Sequence, residues 1–139
     1  LYEKWCMTYP IKLKPKLLIG KYTLDNGKWR DLKIDRFKSK WGGEPAAALM
    51  TNELKPEIIT IYTKVDDVNN LIISNKLRKT EKGNIHLFKH FWKADEGDNR
   101  KYNTVDPILI YADLLATGKQ RNIYIGEKIY EEYIKGFIR

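Results

Sequence analysis

Between Asp106 and Gly118 the chain carries a full set of helix punctuation, and this constrains the fold more than any other feature. Asp106 is a good N-cap, and Pro107 suits the first helical position, where no amide donor is needed. Ile108, Tyr111, Ala112 and Leu115 then recur at i, i+3, i+4 and i+7, the stripe of an amphipathic helix. Thr117-Gly118 closes it, because glycine takes the left-handed conformation past a helix end without steric cost. A second helix is predicted from about Asn122 to Phe137, with Ile123, Tyr130, Tyr133, Ile134 and Phe137 on one face. Glu131 and Lys135 on its outer side make a favourable i,i+4 pair.

These helices need a surface to cover, and the preceding sequence supplies strands. Glu57 to Thr63 holds the β-branched and aromatic run Ile58-Ile59-Thr60-Ile61-Tyr62, which reads as a buried central strand. Glu81-Lys82-Gly83-Asn84 is a turn leading into a further strand, Ile85 to Phe88. Ile11 to Leu18 alternates apolar residues with Lys12, Lys14 and Lys16, a half-buried strand placed at a sheet edge by Pro15. Asp25-Asn26-Gly27 is a hairpin turn signal, and Leu32, Phe37 and Trp41 read as one side of a helix. Gly42-Gly43 interrupts before Pro45 restarts a helix with Glu44 at its positive end. Val68 to Lys76 fits either a short helix or an irregular segment; residues 1–8 fit the tail of a helix, and Ala94 to Asn103 a polar loop. The expected fold is α+β: a small mixed β-sheet flanked by helices, ending in a two-helix C-terminal segment, as one domain over residues 1–139.

The single cysteine, Cys6, rules out an internal disulfide, and no apolar run approaches the roughly 20 residues that span a bilayer. A cytoplasmic protein without a membrane partner is expected, and because residue 1 is Leu, so is a missing N-terminal piece. The net charge of +8 is concentrated at one end: residues 1–41 hold 11 Lys+Arg against 4 Asp+Glu, and the rest hold 15 against 14. Such a concentration suits nucleic acid or an acidic protein surface, with Lys12, Lys14, Lys16, Arg36, Lys38 and Lys40 as its candidates. The same lysines would also keep an edge strand from pairing with another chain.

Signals for chemistry are sparse. His86 and His90 are four apart, a spacing that joins two ligands on a helix and separates them on a strand. Gly42-Gly43-Glu44 lacks the spacing of any phosphate-binding loop, and Ser39 and Ser74 lie on no nucleophile motif. Asp66, Asp67, Asp113 and Glu127 are the carboxylates from which a metal-dependent nuclease would have to be built. No cofactor or metal is expected, and the chain is read as acting by binding instead of catalysis.

Two longer segments are more telling. The first is Lys40-Trp41-Gly42-Gly43-Glu44-Pro45-Ala46-Ala47 with Leu54-Lys55-Pro56-Glu57-Ile58-Ile59-Thr60-Ile61-Tyr62. The second runs from Val105-Asp106-Pro107 to Thr117-Gly118, with Arg121 and Ile129-Tyr130-Glu131 to Tyr133. Leu13 to Gly20, Gly83-Asn84-Ile85 and Phe91-Trp92 fit the same pattern. Together they resemble the C-terminal domain of AbiEi-type antitoxins, regulators of type IV toxin–antitoxin systems in bacterial abortive infection.

The resemblance implies an N-terminal winged-helix module, outside this chain, that binds operator DNA and represses the operon. It implies a C-terminal domain that neutralises a nucleotidyltransferase-like toxin, without any need for a stable complex. Within the motif, Trp41 is expected to fill the core beside Gly42 and Gly43, Glu44 to cap the alanine helix, and Asp113 to pair with Arg121 across Gly118. The competing readings are a basic nucleic-acid-binding module of a transcriptional regulator, and a nuclease-like enzyme.

Overall fold

The structure is a computed structural model that describes Tyr9 and residues 13–24, 28–90 and 101–135. Its centre is a five-stranded mixed sheet in the order β2-β3-β5-β1-β4, formed by β1 (Leu18–Leu24), β2 (Lys40–Gly42), β3 (Ile59–Thr63), β4 (Leu77–Lys79) and β5 (Ile85–Lys89). β3 and β5 are parallel and the remaining pairs antiparallel. The parallel pair requires a crossover, and the chain makes it through α3 (Val68–Ser74) and the far edge strand β4. Val68 to Lys76, left open between two readings, is thus mainly helical. The outer edge of β2 is covered by the segment before the last helix pair: Trp41 N donates to Asn103 O at 3.0 Å, and Val105 N to Trp41 O at 2.9 Å.

All five residues of β3 are buried, as the β-branched run predicts for an interior strand. Trp41, Ile61 and Leu87 lie in one row across the sheet, and Trp29 meets Trp41 edge-on with ring centroids 5.2 Å apart. Neighbouring Tyr62 and Phe88 belong to the opposite face, where α2 (Gly43–Thr51), α4 (Pro107–Ala116) and α5 (Gln120–Ile129) pack on one another and α2 packs on β3. Asp106 caps α4 as expected, its Oδ1 accepting from Ile108 N at 2.9 Å. Gly118 follows the helix with φ +70°, the left-handed value that glycine adopts freely. α5 continues as a π-helical turn, Tyr130–Ile134, and Lys135 pairs with Glu131 at 3.2 Å. The buried side of this last stretch is Ile125, Ile129 and Ile134, so the inner face lies rotated from the Ile123–Tyr130–Tyr133 stripe.

Two expectations for the first third are corrected. Residues Lys14–Leu17 form a short helix, α1, and the strand begins only at Leu18. Pro15 explains the change: it stands in the first helical turn, where its missing donor costs nothing. Leu32, Phe37 and Trp41 do not share a helix either; Trp29–Asp31 and Asp35–Phe37 are separate 3-10 turns, and Trp41 lies in β2. The short strand β4 was not foreseen. The proposed helix over 1–8, the Asp25-Asn26-Gly27 turn, Phe91-Trp92, Phe137 and most of the 94–103 loop lie outside the described residues.

Leu87 is fully buried at the middle of β5, between β3 and β1. Leu87→Ala should cost about 2–5 kcal/mol of folding stability, read as a lower urea midpoint with little change in slope.

Candidate functional site

A buried carboxylate stands between the sheet and α4. Asp113, 4 % exposed, accepts from the Lys14 ammonium at 2.8 Å through Oδ1 and from the Tyr62 hydroxyl at 3.1 Å through Oδ2. The Tyr62 hydroxyl lies 2.6 Å from that of Tyr9, itself buried. Lys14 Nζ also sits 4.8 Å from the centroid of the Phe88 ring, which stacks on Tyr62. The N-terminal segment and β3 thus meet α4 at one carboxylate, with Phe88 of β5 packed beside their side chains. Gly42 makes room for it, since a Cβ there would lie 2.5 Å from the Tyr62 ring.

A second polar tie bolts α2 to α5. Glu44, in the first turn of α2, does not cap that helix through its side chain. Its Oε1 instead accepts from Glu57 N at 3.0 Å and from Arg121 Nη2 at 2.6 Å. Arg121 donates further to Lys55 O at 2.7 Å and pairs with Glu57 at 3.0 Å. A hydrogen bond from Lys119, with the charge of Arg121, holds the Glu57 carboxyl below its ordinary range. The expected Asp113–Arg121 pair is therefore not formed: Asp113 takes Lys14 and Arg121 takes Glu44, because the two residues serve different neighbours of the α4–α5 pair. Trp41 is buried beside the glycines, and Gly43 has φ +47° with Thr60 Oγ1 2.9 Å from where its Cβ would stand.

The lysine candidates divide. Lys14 is turned inward to Asp113 and leaves the surface set. Lys16 and Lys38 are exposed and Lys40 half-buried. Arg36 lies in the second 3-10 turn, its side chain not described, and Lys12 lies outside the described residues. The register aligns Lys40 with Tyr62 and Leu18 with Phe88, so Lys16, Lys38 and Lys40 come from the end of the sheet where β3 and β5 finish. Exposed Lys64 and Lys89 belong to that end too. Sequence reasoning passed over them because they stand singly at strand ends, outside the basic first third.

The carboxylates named for a nuclease are not gathered. Asp113 is buried, Glu127 is exposed on α5, and Asp66 and Asp67 lie in a 3-10 turn before α3. Among the described residues no three His, Cys, Asp or Glu side chains are grouped to hold a metal ion. His86 lies on β5 with Nε2 3.2 Å from Gly83 O, and burial pulls its pKa down, helped by Lys21. No helix among the described residues is long and apolar enough to cross a membrane.

Burial raises the pKa of the Tyr62 hydroxyl well above the ordinary tyrosine value, and the Asp113 charge adds to this. Tyr9 is raised by the same two causes, in the same order. The folded state therefore keeps phenol protons that the unfolded chain releases above about pH 10. Stability should be intact below that pH and fall as pH rises beyond it. Tyr62→Phe should flatten this alkaline loss while costing about 1–2 kcal/mol at neutral pH, where its hydrogen bonds are lost; urea titrations across pH 8 to 11 read both effects.

No curated protein and no solved structure matches the chain. A family model described as transcriptional regulator, AbiEi antitoxin, type IV TA system matches residues 1–135. That match spans both tied motifs, Trp41-Gly42-Gly43-Glu44 and Asp113 with Arg121, together with the sheet between them. The chain belongs to the AbiEi antitoxin family of transcriptional regulators of type IV toxin–antitoxin systems.

Proposed function

We propose that residues 1–139 act as one antitoxin domain that counteracts a nucleotidyltransferase-like toxin encoded beside it in a bacterial type IV system, without catalysis of its own. The single observation that carries this reading is the family match over residues 1–135. The structure lends support through the use made of buried polar groups. Asp113, Glu44, Thr63 and Asn122 each hold two parts of the fold together, by Lys14 and Tyr62, by Arg121 and Glu57 N, by Ser39, and by Thr117 respectively. Such ties fix a surface; general acid–base or metal chemistry would instead need polar groups converging on an open cavity. Operator recognition and autoregulation, on this reading, rest mainly on a winged-helix module outside these residues, in the cytoplasm of the host.

A second reading, a nucleic-acid-binding module, is favoured by the lysines at one end of the sheet. Lys16, Lys38, Lys64 and Lys89 are exposed there, with Lys40 and Arg36 beside them in the chain. Phosphate contacts of this kind release counterions, so DNA affinity carried by them would fall steeply with salt. Within the antitoxin reading the same lysines supplement the operator contacts of the other module, or face an acidic surface of the toxin.

Co-expression with the neighbouring toxin tests the proposal. The chain alone should restore growth to toxin-expressing cells, and a Lys16→Glu/Lys38→Glu/Lys89→Glu variant should show whether the basic end takes part. Growth that stays arrested while the chain is folded and abundant would rule the antitoxin assignment out.

A further inference from the structure

The groove beside the C-terminal helices is built differently from the rest of this basic molecule. Tyr111 of α4 faces Tyr130 at 5.5 Å between ring centroids. With Tyr124, Glu127, Glu131 and Glu132 these rings line an open groove of about 330 Å³. Tyr124 is 56 % exposed, one of the few large aromatic or aliphatic side chains left uncovered among the described residues. Glu127 and Glu132 are exposed and have no ion pair among the described residues; Glu131 shares Lys135. In a chain of net charge +8, three carboxylates against one lysine on a single groove is a reversal of sign.

That one lysine indicates what the groove accepts. Lys128 holds its ammonium 5.0 Å from the centroid of the Tyr124 ring while pairing with Glu53, so one wall already binds a cation by a ring face and a carboxylate together. The π-helical turn Tyr130–Ile134 supplies Tyr130, Glu131 and Glu132 to the other wall. Such turns break the regular helical ladder, and they recur at functional sites. A ring face plus a nearby carboxylate suits guanidinium best: the planar group stacks on the ring and donates in pairs to the carboxylate. Polyanions are disfavoured there by the same charges.

We propose that this groove docks an arginine-bearing segment of a protein partner. The proposal rests on the reading of the domain as one that acts by presenting a surface to another protein. Its test is calorimetric titration of the whole chain, at low ionic strength, with a capped peptide of alternating glycine and arginine, and with a glycine–glutamate peptide as control. The arginine peptide should bind and the acidic one should not. Tyr124→Ala/Glu127→Gln, both exposed positions, should leave the circular dichroism spectrum unchanged and weaken binding about tenfold. Absence of arginine-peptide binding, or equal affinity of the double variant, would overturn the proposal. So would self-association of the chain, in sedimentation, that the double variant abolishes, because the occupant is then a second copy. Growth rescue by the wild-type chain judges the antitoxin reading separately, and the peptide titration decides the groove whichever way rescue falls.

Discussion

Asp113 is the point at which three distant parts of the chain are held together, and its burial makes that meeting obligatory. A carboxylate removed from water loses several kcal/mol of hydration and is tolerated only when its oxygens are engaged. Here Lys14 takes one oxygen and Tyr62 the other, while Tyr9 completes the chain of hydroxyls. The N-terminal segment, the interior strand β3 and the helix α4 are thereby fixed relative to one another. The glycine at position 42 follows from this, for Tyr62 reaches Asp113 across the space that a side chain there would fill. Glu44 plays the equivalent part on the other flank, joining α2 to α5 through Arg121. Two buried carboxylates, each with a cationic partner from elsewhere in the sequence, set the frame on which the surfaces are carried.

This arrangement changes how the basic composition is understood. A lysine-rich segment reads as surface by default, yet Lys14 is spent on the core, its ammonium between a carboxylate and the Phe88 ring. The exposed lysines at the end of the sheet where β3 and β5 finish come instead from several elements, Lys64 and Lys89 among them. The C-terminal groove has the opposite character, tyrosines and glutamates on a helix whose last turn is π-helical. Separated surfaces of opposite sign act chiefly on the specificity and encounter rate of association.

Local signals carried through to the fold where they were self-sufficient. Asp106, Pro107 and Gly118 define their helix with groups a few residues apart, and the β-branched run of β3 needs only burial on both faces. The fold class, an α+β sheet closed by two C-terminal helices, was legible for the same reason. What could not be read was settled by contacts far apart in sequence. Alternation in residues 11–18 mimicked a strand, but Pro15 starts a helical turn and Lys14 is drawn to a residue 99 positions away. Asp113 and Arg121, close in sequence and opposite in charge, looked like partners; each is claimed by a group from another layer. Neither Tyr9 nor Tyr62 bears any local mark of its place in the buried network.

A double-mutant cycle between Lys14 and Asp113 measures the central tie most directly. Lys14→Met, Asp113→Asn and the combined variant are compared with the parent by urea denaturation. The account predicts that the single losses fail to add, with a coupling of about 1–3 kcal/mol, as expected for residues in one buried network. Additive losses would mean that the ammonium and the carboxylate act independently, and that the N-terminal segment is not fastened to the core through Asp113.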